Sequence, residues 1–556
     1  MYNKLLNLIL LVSLVLMGCD LQNFEKQPPQ AKKVIENTGA PKHVGYLRLP
    51  LSDSVITLDP GIIYKDVQIE LVEQLFLGLT DFDPKTYEVV PELATNWRVS
   101  ENGTVYTYKL RQDVKWTNGL PVTAHDVVWA IRRNVAKKTN SLYAFMLYVI
   151  KNAKAIHQDE SVPISSLGVR AIDDYTLEFT LEQPTGYFPA LTSFWNYHPL
   201  PRSVIEKHGD KWVEPAYIQT NGSYQLAQWQ KNRLLILKKN PDYYEADMVE
   251  IPEVHYHIVS DSSLAFAMYK QNELDIMGGL TYLPVPQSKM SAINSNSVLR
   301  KEQRLSPKFC TEWYGFNVQQ PPLDNPLVRK AIAAAIDKKT LIDIIIKANH
   351  LPAMTFTRPP VFGAVEVSGP KKVGIYFDPV FAKQWLAKAG YPEGKNFPQL
   401  FLISNISELN YKTAKTIKTM LKHYLNINVE IRMLDFERYL KVIKLPRPHI
   451  FRMNWCANYP DANNWLYEVF HPDKGINWIA WNNRDFANIV DEARSVSDPV
   501  RRKVLYRRAE KILTETETAI IPLYFSNTLF LVKPWVKGWY QKGFGGQHIR
   551  NWSLEN

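Results

Sequence analysis

Three stretches of the chain alternate apolar and polar residues in twos: 104–111 (TVYTYKLR), 175–181 (YTLEFTL) and 234–238 (LLILK). Successive side chains of an extended backbone point to opposite sides, so this period predicts strands with one buried face. Other stretches carry the helical period with its punctuation. Asn325-Pro326 offers an N-cap and a first-turn proline ahead of LVRKAIAAAID. Asp378-Pro379 does the same for VFAKQWLAKA, which Gly390 ends. Over 500–516, Val500, Val504, Leu505, Ala509, Ile512 and Leu513 fall on one predicted helical face. These stripes read as core packing. There is no internal repeat of 20–50 residues and no low-complexity tract. The mixture predicts an α/β protein with more than one sheet.

One apolar run has neither period. Residues 5–17 are mostly Leu, Ile and Val, after Lys4. The run is shorter than the roughly 20 residues of a spanning helix and matches a signal-peptide core. It leads into Leu16-Met17-Gly18-Cys19, which resembles the lipobox at which bacterial lipoproteins are cut and Cys19 is lipidated. An ordinary secretory signal with an incidental cysteine is the other reading. Residues 1–18 are thus expected to be a signal peptide. Residues 19–43, polar and proline-bearing, follow as lipidated cysteine and tether. Asp20 resembles the signal that keeps enteric-type lipoproteins on the inner membrane. The expected location is extracytoplasmic, lipid-anchored to the cell membrane and facing the periplasm if the host is Gram-negative. The other two cysteines, Cys310 and Cys456, would then lie outside the reducing cytosol, where a disulfide persists.

Composition is globular, 46% hydrophobic and 22% charged, and the chain is too long for one core. The net charge of +11 comes from Lys and Arg spread along the whole length, a solvated surface rather than a nucleic-acid patch. The 15 Trp and 29 Tyr supply contact area suited to a binding protein. Enzyme signatures (HExxH, CxxC, GxSxG, a phosphate-binding loop, GxGxxG) are missing from the sequence. His255 and His257 would share a strand face, but a metal needs a third ligand that nothing indicates. Asp173-Asp174 fits a turn between strands better than acid–base chemistry. No catalytic residue, metal or cofactor is implied.

A series of blocks along the chain then carries a resemblance. In order they are TLDP (57–60), LFLGL (75–79), PELATNW (91–97), YTYKLRQDVKWTNGLPVTAHDV (106–127), TNGSYQLAQW (220–229), LKKNPDYYEA (237–246), QNELDI (271–276), VRKAIAAAIDKK (328–339), FDPVFAKQWLAKAGYPEG (377–394) and IIPLYF (520–525). Together they resemble the extracytoplasmic solute-binding proteins of ABC peptide importers, the dipeptide/oligopeptide/nickel class. CTEWYGFNVQQPPLDN (310–325), FRMNWCANY (451–459) and LVKPWVKGWYQK (531–542) are most similar to the oligopeptide-binding branch. The resemblance implies a two-lobed periplasmic-binding-protein fold with an extra domain and a ligand cleft between hinged lobes. Lobe I would take 44–80, 205–309 and 525–556, the extra domain 81–204, and lobe II 310–524. The cysteines matching Cys310 and Cys456 are bridged in that branch. Such a bridge would close a loop of 146 residues. Two buried free thiols are the alternative.

The resemblance further implies a monomer that holds a peptide in extended form and hands it to a permease with its ATPase. The ligand's main chain pairs with protein strands, which suits any sequence because every residue offers the same N–H and C=O. Tyr64-Lys65-Asp66 and Trp455-Cys456-Ala457, continuing to Asn458, match the pairing segments. If 451–456 is a strand, Phe451, Met453 and Trp455 face one way and Arg452, Asn454 and Cys456 the other. Trp455 would then wall a pocket or pack in the core, and Arg452 would brace the site or form a structural ion pair. One departure stands out: Asn458 replaces the aspartate that pairs with a ligand's free amino group in this branch. Either Asp461 substitutes, or the ligand lacks a free amine, as in N-acylated murein-type peptides. Rival readings are a same-fold binder of a nickel chelate, haem, glutathione or a sugar, an envelope adhesin or sensor without a transport role, and a secreted hydrolase.

Overall fold

The computed structural model describes residues 45–347, 349–366, 372–444, 448–543 and 546–555. The signal peptide, Cys19 and the whole of the tether lie outside the described residues. Among the described residues no helix is long and apolar enough to cross a membrane.

Three sheets of four or more strands, with two two-stranded ones beside them, organise the described residues. The first orders its strands Leu47–Leu51, Glu253–Ile258, Leu234–Lys239, Tyr224–Gln230, with the first pair parallel. The second is antiparallel: Ala94–Val99, Val105–Leu110, Thr176–Thr180, Val169–Asp173. In it the alternation read from the sequence is visible. Tyr106, Tyr108 and Leu110 are buried between more exposed neighbours, and the Tyr106 and Phe179 rings lie 5.0 and 5.1 Å from Phe188. Helix Ala124–Val135 covers this face with Val127, Val128, Ile131 and Val135. One apolar core runs beneath both sheets.

The third sheet is mixed and has 7 strands. Its order is Ile276–Gly278, Ile520–Val532, Gln303–Phe316, Ile450–Cys456, Leu400–Asn405, Val429–Leu434, with Leu351–Pro352 also paired to Ile520–Val532. Both faces are covered, so neighbours in sequence enter different cores. Trp313, Ile403 and Phe451 join one; Tyr314, Leu402 and Ile450 join the other.

The helix punctuation works as the residue types require. Asn325 accepts the Leu327 amide at 2.9 Å, Asp378 accepts those of Val380 and Phe381 at 3.0 Å, and Gly390 adopts φ +96° past its helix. The stripe over 500–516 needs correction. In helix Pro499–Lys511, Val500 and Val504 are exposed, and the buried face holds Arg502, Leu505, Tyr506, Ala509 and Glu510. Polar partners rotate the helix: Arg502 meets Asp461, and Glu510 accepts the amides of Phe356 and Thr357.

Gln303–Phe316 and Ile520–Val532 are the two longest strands and pair with each other. Their register shifts between Pro307, opposite Asn527, and Thr311, opposite Phe525. Lys308, Phe309 and Cys310 therefore face the single residue Ser526. A proline inside a strand cannot donate to the ladder and commonly marks such a bulge.

Candidate ligand-binding cleft

The bulge lies on the wall of a cavity of about 670 Å³. All three bulged residues line it, with Glu312 from the same strand and Tyr524, Asn527 and Leu529 from its partner. Arg452, Cys456, Ala457 and Asn458 continue the wall from the next strand. Asp66 and Ile69 come from helix Asp66–Leu75, and Leu280, Val285 and Met290 form a facing apolar wall with Leu305. Leu280 and Leu305 are exposed there. A cavity of this size, lined by polar and apolar side chains alike, suits a small organic ligand.

Strand Ile450–Cys456 delivers its residues by alternation. Phe451 and Met453 enter the core, Trp455 packs against the same core, and Arg452 and Cys456 line the cavity. Cys456 lies directly opposite Cys310 on the neighbouring strand, and the two form a disulfide with S–S 2.02 Å. Arg452 reaches Glu312 at 2.5 Å, with Asn405 Oδ1 at 3.4 Å from its other nitrogen. Burial raises the Glu312 carboxyl, with Arg452 pulling it down.

Beyond the strand, the Ala457 N–H donates to the Phe309 carbonyl at 2.8 Å and the Asn458 N–H to Asn464 Oδ1 at 3.1 Å. The carbonyls of Ala457 and Asn458 accept nothing among the described residues. Asn464 is fully buried and also accepts the Trp455 indole N–H at 3.1 Å. It thus holds this segment in place, and Trp455, 6.1 Å from Trp478, stays off the cavity.

The other predicted segment divides. Asp66 lines the cavity, where burial raises its carboxyl and Lys308 opposes the rise. Tyr64 and Lys65 do not line it. Their amides donate to Gln68 Oε1 at 3.3 and 3.1 Å, forming the start of helix Asp66–Leu75, and Lys65 pairs with Asp53. Asp461 is corrected outright as a substitute for the missing aspartate. It is buried, holds Arg502 at 2.8 and 2.9 Å and Tyr506 at 3.1 Å, and is not on the cavity wall. Its charge is already matched.

Sequence reasoning missed Lys308, Glu312, Lys347, His350, Asn464 and Asn527. Only Pro307, interrupting a strand pattern, signalled that its neighbours would leave the ladder. His255 is taken by Glu253 at 2.9 Å and stacks on Tyr46. Among the described residues no cluster of three or more His, Cys, Asp or Glu has a metal-holding arrangement. The far wall, Gln541–Gly543, is fixed by Lys542, which binds Asp81 at 2.8 Å; Arg550 joins Asp81 to Glu92 at 3.2 and 2.7 Å.

A model of bacterial extracellular solute-binding proteins, family 5 Middle, matches residues 88–477. The chain is 32% identical, over 97% of its length and 96% of the relative's, to an Escherichia coli K12 periplasmic protein named "probable deoxycholate-binding" (YgiS). It is also 32% identical, over 88% of each chain, to the periplasmic oligopeptide-binding protein OppA of Salmonella typhimurium. Among solved structures it overlays the unliganded open form of the murein tripeptide binding protein MppA with TM-score 0.84, at 27% identity, covering 91% of this chain and 97% of that one. Against Haemophilus influenzae OppA in complex with RPPGFSPFR the TM-score is 0.59, at 26% identity, covering 92% and 99%. Identity and coverage hardly differ between the two overlays. This chain thus superposes better on that unliganded open form than on that peptide complex.

Proposed function

From a chain that belongs to the family 5 extracellular solute-binding proteins of bacteria, we propose the lipid-anchored substrate-binding subunit of an ABC importer for short peptides. The protein would be monomeric and tethered through Cys19. It would capture its ligand outside the cytoplasm and pass it to a permease driven by a separate ATPase. The relatives are solute-binding proteins, not enzymes. One observation carries the reading: a cleft whose wall combines the bridged strands at Cys310 and Cys456 with the unoccupied carbonyls of Ala457 and Asn458. Those carbonyls can accept ligand N–H groups whatever the side chains, which is how one site serves many sequences. We assign lobe I to 44–80, 205–309 and 525–556, the extra domain to 81–204 and lobe II to 310–524. Closure would bend the long paired strands at the bulge, where the ladder is already interrupted.

The neutral Asn458 points to a ligand without a free amino terminus. An aspartate there would gain an ion pair with an ammonium group; truncating one member of such a desolvated pair costs about 2–5 kcal/mol. An asparagine side chain instead donates to an acyl carbonyl. A second reading, a non-peptide organic acid, is favoured by the same neutral residue, by the apolar wall of Leu280, Val285, Met290 and Leu305, and by the name of the deoxycholate relative. Calorimetry with matched free and N-acetylated tripeptides and with deoxycholate, on the wild type and Asn458→Asp, separates these. The proposal expects acetylated peptides to bind the wild type better and free-amine peptides to gain on Asn458→Asp. Tight wild-type binding of free-amine peptides with rejection of acetylated ones sinks the N-blocked ligand. Binding of deoxycholate alone favours the second reading.

A further inference from the structure

Helix Pro379–Lys388 is apolar on two sides. Ala382 and Leu386 face the core. A solvated helix carries polar and charged residues on its opposite face. Here Val380 and Phe381 stand 65% and 52% exposed, and Phe377, one residue ahead of the Asp378 cap, 37%. Val380, Phe381, Gln384 and Lys388 fall three or four residues apart, so they share one outward stripe. Phe381 stacks on half-buried Trp385, ring centroids 5.9 Å apart. Phe377 meets Tyr424 of the neighbouring helix Glu408–Leu425 edge-on at 5.4 Å, and Tyr424 meets exposed His423 at 4.7 Å. An aromatic strip thus joins two adjacent helices, and none of its residues lines the ligand cavity.

The positive charge spread along the chain has a local excess on the same two helices. Residues 377–426 hold seven lysines, no arginine and three carboxylates. The carboxylates are engaged: Asp378 accepts two amides of its own helix, Glu393 pairs with Lys395 and Glu408 with Lys412. Glu515, which accepts the Gly374 N–H ahead of Phe377, pairs with Lys511. Lys383, Lys388, Lys415 and Lys418 are exposed and have no ion pair or side-chain hydrogen bond among the described residues. Lys422 reaches only the neutral Asn426. Exposed aromatics beside unpaired cations suit a protein or a lipid surface. Protein interfaces favour arginine and are poor in lysine. At a lipid surface the lysine stem lies along apolar matter while the ammonium stays among the headgroups, and aromatic rings settle at the same level. Seven lysines without an arginine favour the lipid.

We propose that the outward faces of helices Pro379–Lys388 and Glu408–Leu425 dock on the anionic phospholipid surface of the membrane that holds the tether. The inference rests on the reading of a lipid-anchored receptor and goes beyond it. A lipid at Cys19 fixes nearness but not orientation, and a second contact on the body fixes that. Val380, Phe381 and Phe377 would settle among the headgroups, and the lysines would lie against lipid phosphates.

Vesicle co-sedimentation of the full mature chain, made without its lipid, tests it. The probes are vesicles of phosphatidylglycerol and of phosphatidylcholine. Binding to the anionic vesicles should exceed binding to the neutral ones by about tenfold or more at low salt and weaken as salt rises. Each lysine near such a surface contributes about fivefold. Lys383→Gln, Lys388→Gln and Lys415→Gln together should therefore cost well over tenfold. Lys137→Gln, Lys138→Gln and Lys154→Gln, three exposed lysines elsewhere, should cost little. Val380→Ser with Phe381→Ser should remove the binding that survives high salt. All these side chains are exposed, so an unchanged unfolding midpoint shows that lost binding is not lost structure. No preference for anionic vesicles, or an equal loss from both lysine sets, overturns the face. Binding to host membranes that protein-free vesicles do not reproduce also overturns it and points to a protein partner. Intact mass of the protein from its own host reports the lipid at Cys19 separately, so a missing anchor and a missing face are told apart.

Discussion

At the scale of single residues, charge placement separates structural groups from ligand-facing ones. Asp461 and Arg502 have side chains 3% and 5% exposed and satisfy each other. Asp461→Asn should therefore lower stability by about 3–5 kcal/mol in urea unfolding, because it strands a buried guanidinium. A loss well below 1 kcal/mol would mean that the pair is dispensable and that Asp461 is free for another role. Glu73 is pushed up to about 8 by burial, with Lys542 pulling against it. Its folded form binds a proton that the unfolded chain releases near 4.5, so this contribution is complete below 4.5 and is lost as pH rises through 8. His198 and His548 act in the opposite sense. Burial pushes both down to about 3, so their contribution is complete above 6.5 and is lost as pH falls toward 3. Glu73→Gln should flatten the alkaline limb of a stability–pH profile and leave the acid limb alone; an unchanged alkaline limb would contradict the assignment. Of the cleft residues, Arg452 and Cys456 were named through the resemblance, and strand alternation placed them together on one face without saying that this face was the one lining the cavity. Lys308 and His350 were not legible, since a bulge and a loop beside Leu351–Pro352 present them, and neither obeys a period. Trp455 was left open between pocket and core. The choice depended on Asn464, nine residues along and on a helix, whose oxygen holds the indole.

At the scale of elements, sequence punctuation was a better guide than apolar stripes. Asn325, Asp378 and Gly390 each act through one or two local hydrogen bonds or one backbone angle, and such features need no knowledge of the rest of the fold. The stripe over 500–516 misled because Arg502 and Glu510 are buried by partners more than 40 residues away in sequence, which no helical period reports. The disulfide is an element-scale device of another kind. It joins directly opposed residues of neighbouring strands and closes a loop of 146 residues, worth about 5 kcal/mol in the chain-entropy model. The double variant Cys310→Ser, Cys456→Ser should lose about 2–5 kcal/mol in denaturant unfolding under non-reducing conditions. It should also bind ligand more weakly, since both cysteines line the cleft. An unchanged midpoint together with unchanged affinity would contradict both roles.

At the scale of the whole molecule, three larger sheets and a cleft at an interrupted strand pair make a body that, under the proposed function, would open and close around a solute. The α/β class was readable from mixed periods. The two-lobed arrangement was not; it came through resemblance, because strand order depends on contacts such as Ile276–Gly278 with Ile520–Val532 that span nearly half of the chain. The cleft wall carries the residues of the unoccupied carbonyls, Ala457 and Asn458, and a half-buried ion pair, Arg452 with Glu312. A backbone-gripping receptor of the proposed kind would use both. Native mass spectrometry of the protein purified from its own host tests this most directly, because a receptor of this kind co-purifies with what it captures. The expected result is one ligand per chain, drawn from a mixture of short peptides with blocked amino termini. A chain carrying only a metal ion, a sugar or another neutral solute would contradict it.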